Sequence, residues 1–150
     1  MYTYSSLENT SDEVLFQAFK DAFEDYPVTV HATLKSFQHM LQRRGYDPRI
    51  SLGAFKKSDH ALAGFVLNGY RMFGTKRTAY DIVTGTVPSH RRQGITNTIL
   101  EELKEVLKQK QAEQYVTEVL KVNPIAFEAY KKQGFEIRRE FSCYQLKNEN

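Results

Sequence analysis

The chain is 150 residues long, 41% hydrophobic and 13% aromatic, enough to bury a core and too apolar for a disordered segment; residues 1–150 read as one domain. Its net charge of +3 is lopsided, with eight basic and eight acidic side chains over residues 1–75 and thirteen against ten over 76–150. That excess is too weak for a nucleic-acid surface, the lone Cys143 excludes an internal disulfide, and the longest apolar patch, Ala61 to Leu67, is far too short to span a bilayer.

The opening residues, Met1 to Ser6, are short and polar, with no basic-plus-apolar leader. Together with the single cysteine this gives a cytoplasmic expectation, with no membrane and no nucleic-acid partner. A homodimer is compatible with the sequence. No zinc-type Cys/His spacing, Walker loop or Ser-His-Asp signature is present, so no metal is expected.

Tyr2 to Leu7 forms a first strand in this reading. Thr10 and Glu13 have the spacing of a capping box, and Leu15, Phe16, Phe19, Ala22 and Phe23 follow at helical spacing. Tyr26-Pro27 ends that helix. A second helix starts at Thr33 or Ser36, with Leu34, Phe37, Met40 and Leu41 on one face and Gly45 at its C-terminal cap. After the turn at Tyr46-Asp47-Pro48 come three strands, Ile50 to Phe55, Leu62 to Tyr70 and Ala79 to Val87. Turns at 56–60 and 73–77 join them.

The third strand runs into His90-Arg91-Arg92-Gln93-Gly94-Ile95-Thr96. The apolar residues Ile95, Ile99, Leu103, Val106 and Leu107 then repeat with helical spacing. Strand, basic glycine-bearing loop and helix in succession suit a phosphate. The first helical turn has unpaired N–H groups and the positive end of the dipole. Gly94 lets backbone approach closely, and Arg91 and Arg92 add charge. Solvated surface arginines are the plainer alternative.

A strand from Tyr115 to Val122 follows, parallel to the strand ending at Val87 because a helix intervenes. Asn123 and Pro124 then cap a helix that stops at Gly134. Phe135 to Phe141 and Ser142 to Leu146 form a final antiparallel pair.

Two of these segments resemble one superfamily. Asn123, Ala126, Tyr130 and Gly134-Phe135 match the pattern Asn-x-x-Ala-x-x-x-Tyr-x-x-x-Gly-Phe of the GCN5-related N-acetyltransferases, the GNAT superfamily. Arg91 to Thr96 resembles that superfamily's acyl-CoA loop, Arg/Gln-x-x-Gly-x-Gly/Ala, with Thr96 where Gly or Ala is usual. The resemblance is specific from about residue 78 to 135.

It implies the α/β (α+β) GNAT fold. This is a mixed central sheet of about seven strands with four helices, in the order β-α-α-β-β-β-α-β-α-β-β. Two parallel strands splay apart to admit the pantetheine arm of acetyl-CoA. It implies that Thr84, Gly85 and Thr86 offer main chain to that arm, that Arg91, Arg92, Gln93, Gly94, Ile95 and Thr96 cradle the pyrophosphate, and that Asn123 and Tyr130 complete the cofactor site. Gly85 also reads as a simple twist-relieving glycine.

Acetyl transfer to an amine needs a neutral amine and a proton for the leaving thiolate. The resemblance makes Tyr130 the acid; its hydroxyl is a donor with an ordinary pKa near 10. Glu118 leads as base, because a carboxylate in a central strand is costly unless paired or useful. It also falls twelve residues before Tyr130, as in ribosomal-protein N-terminal acetyltransferases, which this segment resembles. Asp81 is the runner-up. Histone-type members carry a Glu one residue away, at the position of Tyr80, and a bulge is needed to bring Asp81 to the right face.

His31 and His39 read as surface or structural, and Cys143 as a small core residue. Tyr26, His31, Arg43, Arg44, Tyr46 and Arg49 cluster in sequence where the amine acceptor is expected. The arginines point to an acidic acceptor or to a solvated helix end. The whole reads as an N-acetyltransferase using acetyl-CoA and a primary amine of a small molecule or peptide, by direct attack in a ternary complex. The alternative is a non-catalytic acyl-CoA-binding sensor on the same fold, which Thr96 mildly favours.

Overall fold

The computed structural model describes residues 1–25 and 32–117. Tyr26, His31, Glu118, Asn123, Tyr130, Cys143 and the last helix and strand pair of the expected fold lie outside the described residues.

Local chemistry sets the helix ends. Helix α1, Asp12–Ala22, is capped by Ser11, whose Oγ accepts the N–H of Val14 at 3.2 Å. The N-cap is therefore Ser11 and not Thr10, and the expected Thr10–Glu13 box does not form, since Val14 stands three residues after the cap. The Thr10 N–H is already taken by the carbonyl of Leu7, at 3.1 Å, in the turn after the first strand. Helix α2, Leu34–Arg44, begins with a reciprocal box between Thr33 and Ser36. It ends at Gly45, whose φ of +75° is the left-handed conformation that such a cap requires.

Five strands form one sheet in sequence order: β1 Tyr2–Ser6, β2 Leu52–Lys56, β3 Leu62–Phe73, β4 Lys76–Thr86 and β5 Gln114–Val116. The first four pair antiparallel, and β5 pairs parallel to β4 after a crossover through α3, Ile95–Gln109. The β3–β4 hairpin is longer than its sequence suggests. Gly74, at φ +66°, turns the chain in two residues, so pairing reaches Phe73 and Lys76. Five strands and three α-helices, in the order β-α-α-β-β-β-α-β, are thus in place among the described residues.

The sheet has a core on each face. Under α1 and α2 lie Leu7, Leu15, Ala18, Ala22, Phe37, Leu41, Leu62, Phe65 and Leu67. Under α3 lie Leu52, Ala54, Ala63, Val66, Ile95, Ile99, Leu100 and Leu103. Strand β3 is covered on both sides, which explains its unbroken apolar run from Leu62 to Leu67. Its polar successor Asn68 is fully buried and satisfied. Its Nδ2 donates to the Ile50 carbonyl at 2.8 Å, and its Oδ1 accepts from the Tyr115 hydroxyl at 2.5 Å.

Strand β4 carries a bulge. Asn68 faces Asp81 and Leu67 faces Val83, so Ile82 is one residue extra. As a result the neighbours Ile82 and Val83 both pack on the α1 side of the sheet, where a regular strand would send them to opposite faces.

Candidate functional site

The site is built where β4 turns into α3. After Thr86 the chain makes a single 3-10 turn, Pro88–His90, and then places Arg92 at φ +63° and Gly94 at φ +75°. Gly94 occupies the N-cap of α3 and offers no side chain to it; the first helical bond runs from Thr98 N–H to the Gly94 carbonyl, at 3.0 Å. The N–H groups of Ile95 and Thr96 therefore have no hydrogen-bond acceptor among the described residues. A Cβ built on Gly94 would meet nothing within 4 Å, so the N-cap of α3 is open on that side. An uncapped helix start with an open side fits a diphosphate.

The helix is held close to the sheet by a residue the sequence reading did not single out. A Cβ on Gly64 would come within 2.7 Å of Ile95 Cγ2, so only glycine lets the first turn of α3 sit so close to β3. Tyr2 steadies the preceding turn, with its hydroxyl 2.8 Å from His90 Nδ1. Gln93 is exposed, and Thr96 is half-buried on the first turn of α3.

Arg91 does not face this space. Its Nε donates to the Thr86 carbonyl at 3.2 Å and its Nη2 to the Ala22 carbonyl at 2.8 Å. Its two Nη atoms bridge both carboxylate oxygens of Asp25, at 2.6 and 3.1 Å. The Asp25 carboxyl is held below its ordinary pKa, chiefly by that hydrogen bond and then by the guanidinium charge. Of the two loop arginines, Arg92 is the exposed one.

Along β4, Thr84, Gly85 and Thr86 pair with Val66, Phe65 and Gly64 on one edge. On the other edge Thr78, Ala79 and Tyr80 pair with Gln114, Tyr115 and Val116 of β5. Gly85 has a packing reason that neither sequence reading supplied. A Cβ there would lie 2.9 Å from Phe65 Cζ and 3.0 Å from Ala22 Cβ.

Asp81 stands beside the bulge. Its Oδ2 accepts the hydroxyls of Thr84 at 2.7 Å and Thr117 at 3.0 Å. Tyr80, the position before it, is turned elsewhere: its ring lies against Gly69, and its hydroxyl donates to the Arg44 carbonyl at the end of α2.

The model of the acetyltransferase (GNAT) family matches residues 13–135. The chain belongs to the GNAT family. It is an acyltransferase of the acetyl-CoA-dependent GNAT type. The solved structures agree on the fold. A putative acetyl transferase from Pyrococcus furiosus superposes with a TM-score of 0.72 at 19% identity, over 94% of this chain and 97% of that one. A NatC complex bound to Gag peptide and CoA also gives 0.72, at 17% identity over 93% and 86%. A glucosamine-6-phosphate N-acetyltransferase from Arabidopsis thaliana gives 0.67 at 10% identity, over 94% and 95%. Comparison with curated proteins finds no significant match. No helix among the described residues is long and apolar enough to cross a membrane.

Of the cationic cluster expected near the acceptor in this GNAT protein, Arg49 is already engaged. It makes two 3.0 Å hydrogen bonds to the Asp47 carboxylate. Burial pushes the Asp47 pKa up, but the hydrogen bonds and charge of Arg49 outweigh it and leave the pKa lowered. Arg43 and Arg44 occupy the last turn of α2, where cations suit the helix dipole. The Tyr46 hydroxyl is buried, which with the charges of Asp12 and Asp47 raises its pKa far above the ordinary value. His39 is exposed on α2.

Proposed function

We propose that this protein transfers the acetyl group of acetyl-CoA to a primary amine of a small molecule or peptide, by direct attack with both substrates bound. The observation that carries this reading is the open, uncapped start of α3, reached directly from the end of β4. Ile95 and Thr96 N–H groups would bind the diphosphate there, and Thr84, Gly85 and Thr86 would offer main chain to an amide-rich arm between splayed strands. A complex of similar fold that is bound to Gag peptide and CoA is in keeping with a CoA-borne donor and with a peptide among the candidate acceptors.

Acetyl-CoA, when bound, supplies the acyl thioester; the remaining work is binding and proton transfer by this chain. Arg92 and Gln93 flank the diphosphate position, with Arg92 adding an exposed positive charge. In this reading Asn123 completes the cofactor site, and the Tyr130 hydroxyl gives its proton to the departing thiolate. Glu118 accepts the proton of the attacking amine, directly or through a water. Asp81 is the competing base. Its carboxylate is fixed by Thr84 and by Thr117, the residue immediately before Glu118 in the sequence.

pH–rate profiles separate the two. Glu118→Gln is expected to lower kcat/KM at neutral pH and to recover in part at high pH, where more free amine exists. Acetyl-CoA affinity and melting temperature are expected to stay near those of the parent. If Asp81→Asn shows that behaviour and Glu118→Gln keeps a normal profile, the base is Asp81. Parallel initial-velocity lines, in place of intersecting ones, would overturn direct attack.

A further inference from the structure

We propose that Arg91 and Asp25 form a positioning clamp for the acetyl-CoA loop, and that Arg91 does not itself bind the phosphates. The proposal rests on the reading of this loop as the acetyl-CoA site.

The geometry is that of a strut. One guanidinium joins the end of β4 (Thr86 carbonyl), the end of α1 (Ala22 carbonyl) and Asp25 three residues further on. The Asp25 pairing is bidentate, the strongest and most directional form of this contact. The C-terminal carbonyls of α1 also favour a cation. At its other end α1 is no loose partner. Leu15, Ala18 and Ala22 are buried in the core, and Ala22 presses on β4 at Gly85. The residue directly after the clamp, Arg92, sits at φ +63°, a conformation that a non-glycine side chain keeps only when its surroundings hold it. Two residues on, Gly94 opens the donor cradle. Fixing Arg91 thus fixes the entry of the chain into the cradle from a rigid helix on the opposite face of the sheet.

The two possible roles of Arg91 predict opposite signs for one substitution. Asp25→Asn removes a negative charge near a site for an anion and frees the guanidinium. If Arg91 were a phosphate ligand, acetyl-CoA would bind as well or better. If the pair is a clamp, the dissociation constant and KM for acetyl-CoA rise about tenfold, the scale of one charge-assisted pair, while kcat stays within about twofold. Asp25→Glu is expected to restore most of the affinity. Arg91→Lys provides an independent arm, useful if Asp25→Asn does not fold. It keeps the charge but loses the planar fork, so a clamp predicts weakened binding and a phosphate contact predicts near-normal binding. Calorimetric titration of each folded variant with acetyl-CoA decides. Parent protein that fails to bind acetyl-CoA would refute the site itself. Parent that binds, with Asp25→Asn equal or tighter, would refute only the clamp.

Discussion

Tyr130→Phe is expected to lower kcat on the order of 10²-fold, the usual scale for removing an acid–base group, with acetyl-CoA affinity and melting temperature near those of the parent. The substitution deletes one hydroxyl and keeps the ring. The loss falls on kcat because the proton is needed only as the thiolate leaves. A faster-leaving thiol shrinks the effect, since a more stable thiolate needs less help from an acid. Equal kcat in parent and variant, with chemistry shown to limit the rate, would remove Tyr130 from the mechanism.

Gly94→Asp is expected to weaken acetyl-CoA binding at least about tenfold, roughly 1.4 kcal/mol. The fold is expected to tolerate the change. No atom lies within 4 Å of the new Cβ, and Asp is among the residues that accept the left-handed conformation at φ +75°. The loss therefore reports on the ligand. The side chain occupies the open side of the α3 N-cap, and its charge repels a diphosphate. Gly94→Asn separates these terms, because it keeps the size and the tolerance of the left-handed conformation without the charge. Unchanged affinity of a folded Gly94→Asp protein for acetyl-CoA, measured calorimetrically, would contradict the assignment of this loop.

Much of the frame is legible in the sequence because it is written locally. Thr33 and Ser36 are three apart, Gly45 follows a helical stripe, and Ile95, Ile99 and Leu103 repeat on one face, so caps and helices follow from neighbours in the chain. Strand ends were less legible. Whether β3 stops at Tyr70 or runs to Phe73 depends on the tightness of the Gly74 turn, which propensity does not encode. The anion cradle was read from the glycine and its flanking arginines, and the helix start lies where that pattern puts it.

What escaped is long-range. The partner of Arg91 is Asp25, 66 residues away, and a loop arginine looks the same in sequence whether it meets phosphate or carboxylate. Gly85 and Gly64 answer to Ala22 and Ile95, contacts that exist only once helices lie on both faces of the sheet. The bulge at Ile82 was needed to bring Asp81 round, yet the run Asp81-Ile82-Val83 reads equally well as regular strand.

The central claim is amine-dependent acetyl transfer, and the most direct measurement follows both products. Parent protein is mixed with acetyl-CoA and a panel of primary amines, spanning amino sugars, polyamines and peptide N-termini. Free thiol and acetylated amine are then quantified together. The account predicts that at least one amine gives thiol and acetylated product in equal amounts, at a rate that rises with amine and collapses in Tyr130→Phe. Tight acetyl-CoA binding with no amine-dependent thiol release across the panel, and no difference between parent and Tyr130→Phe, would contradict it.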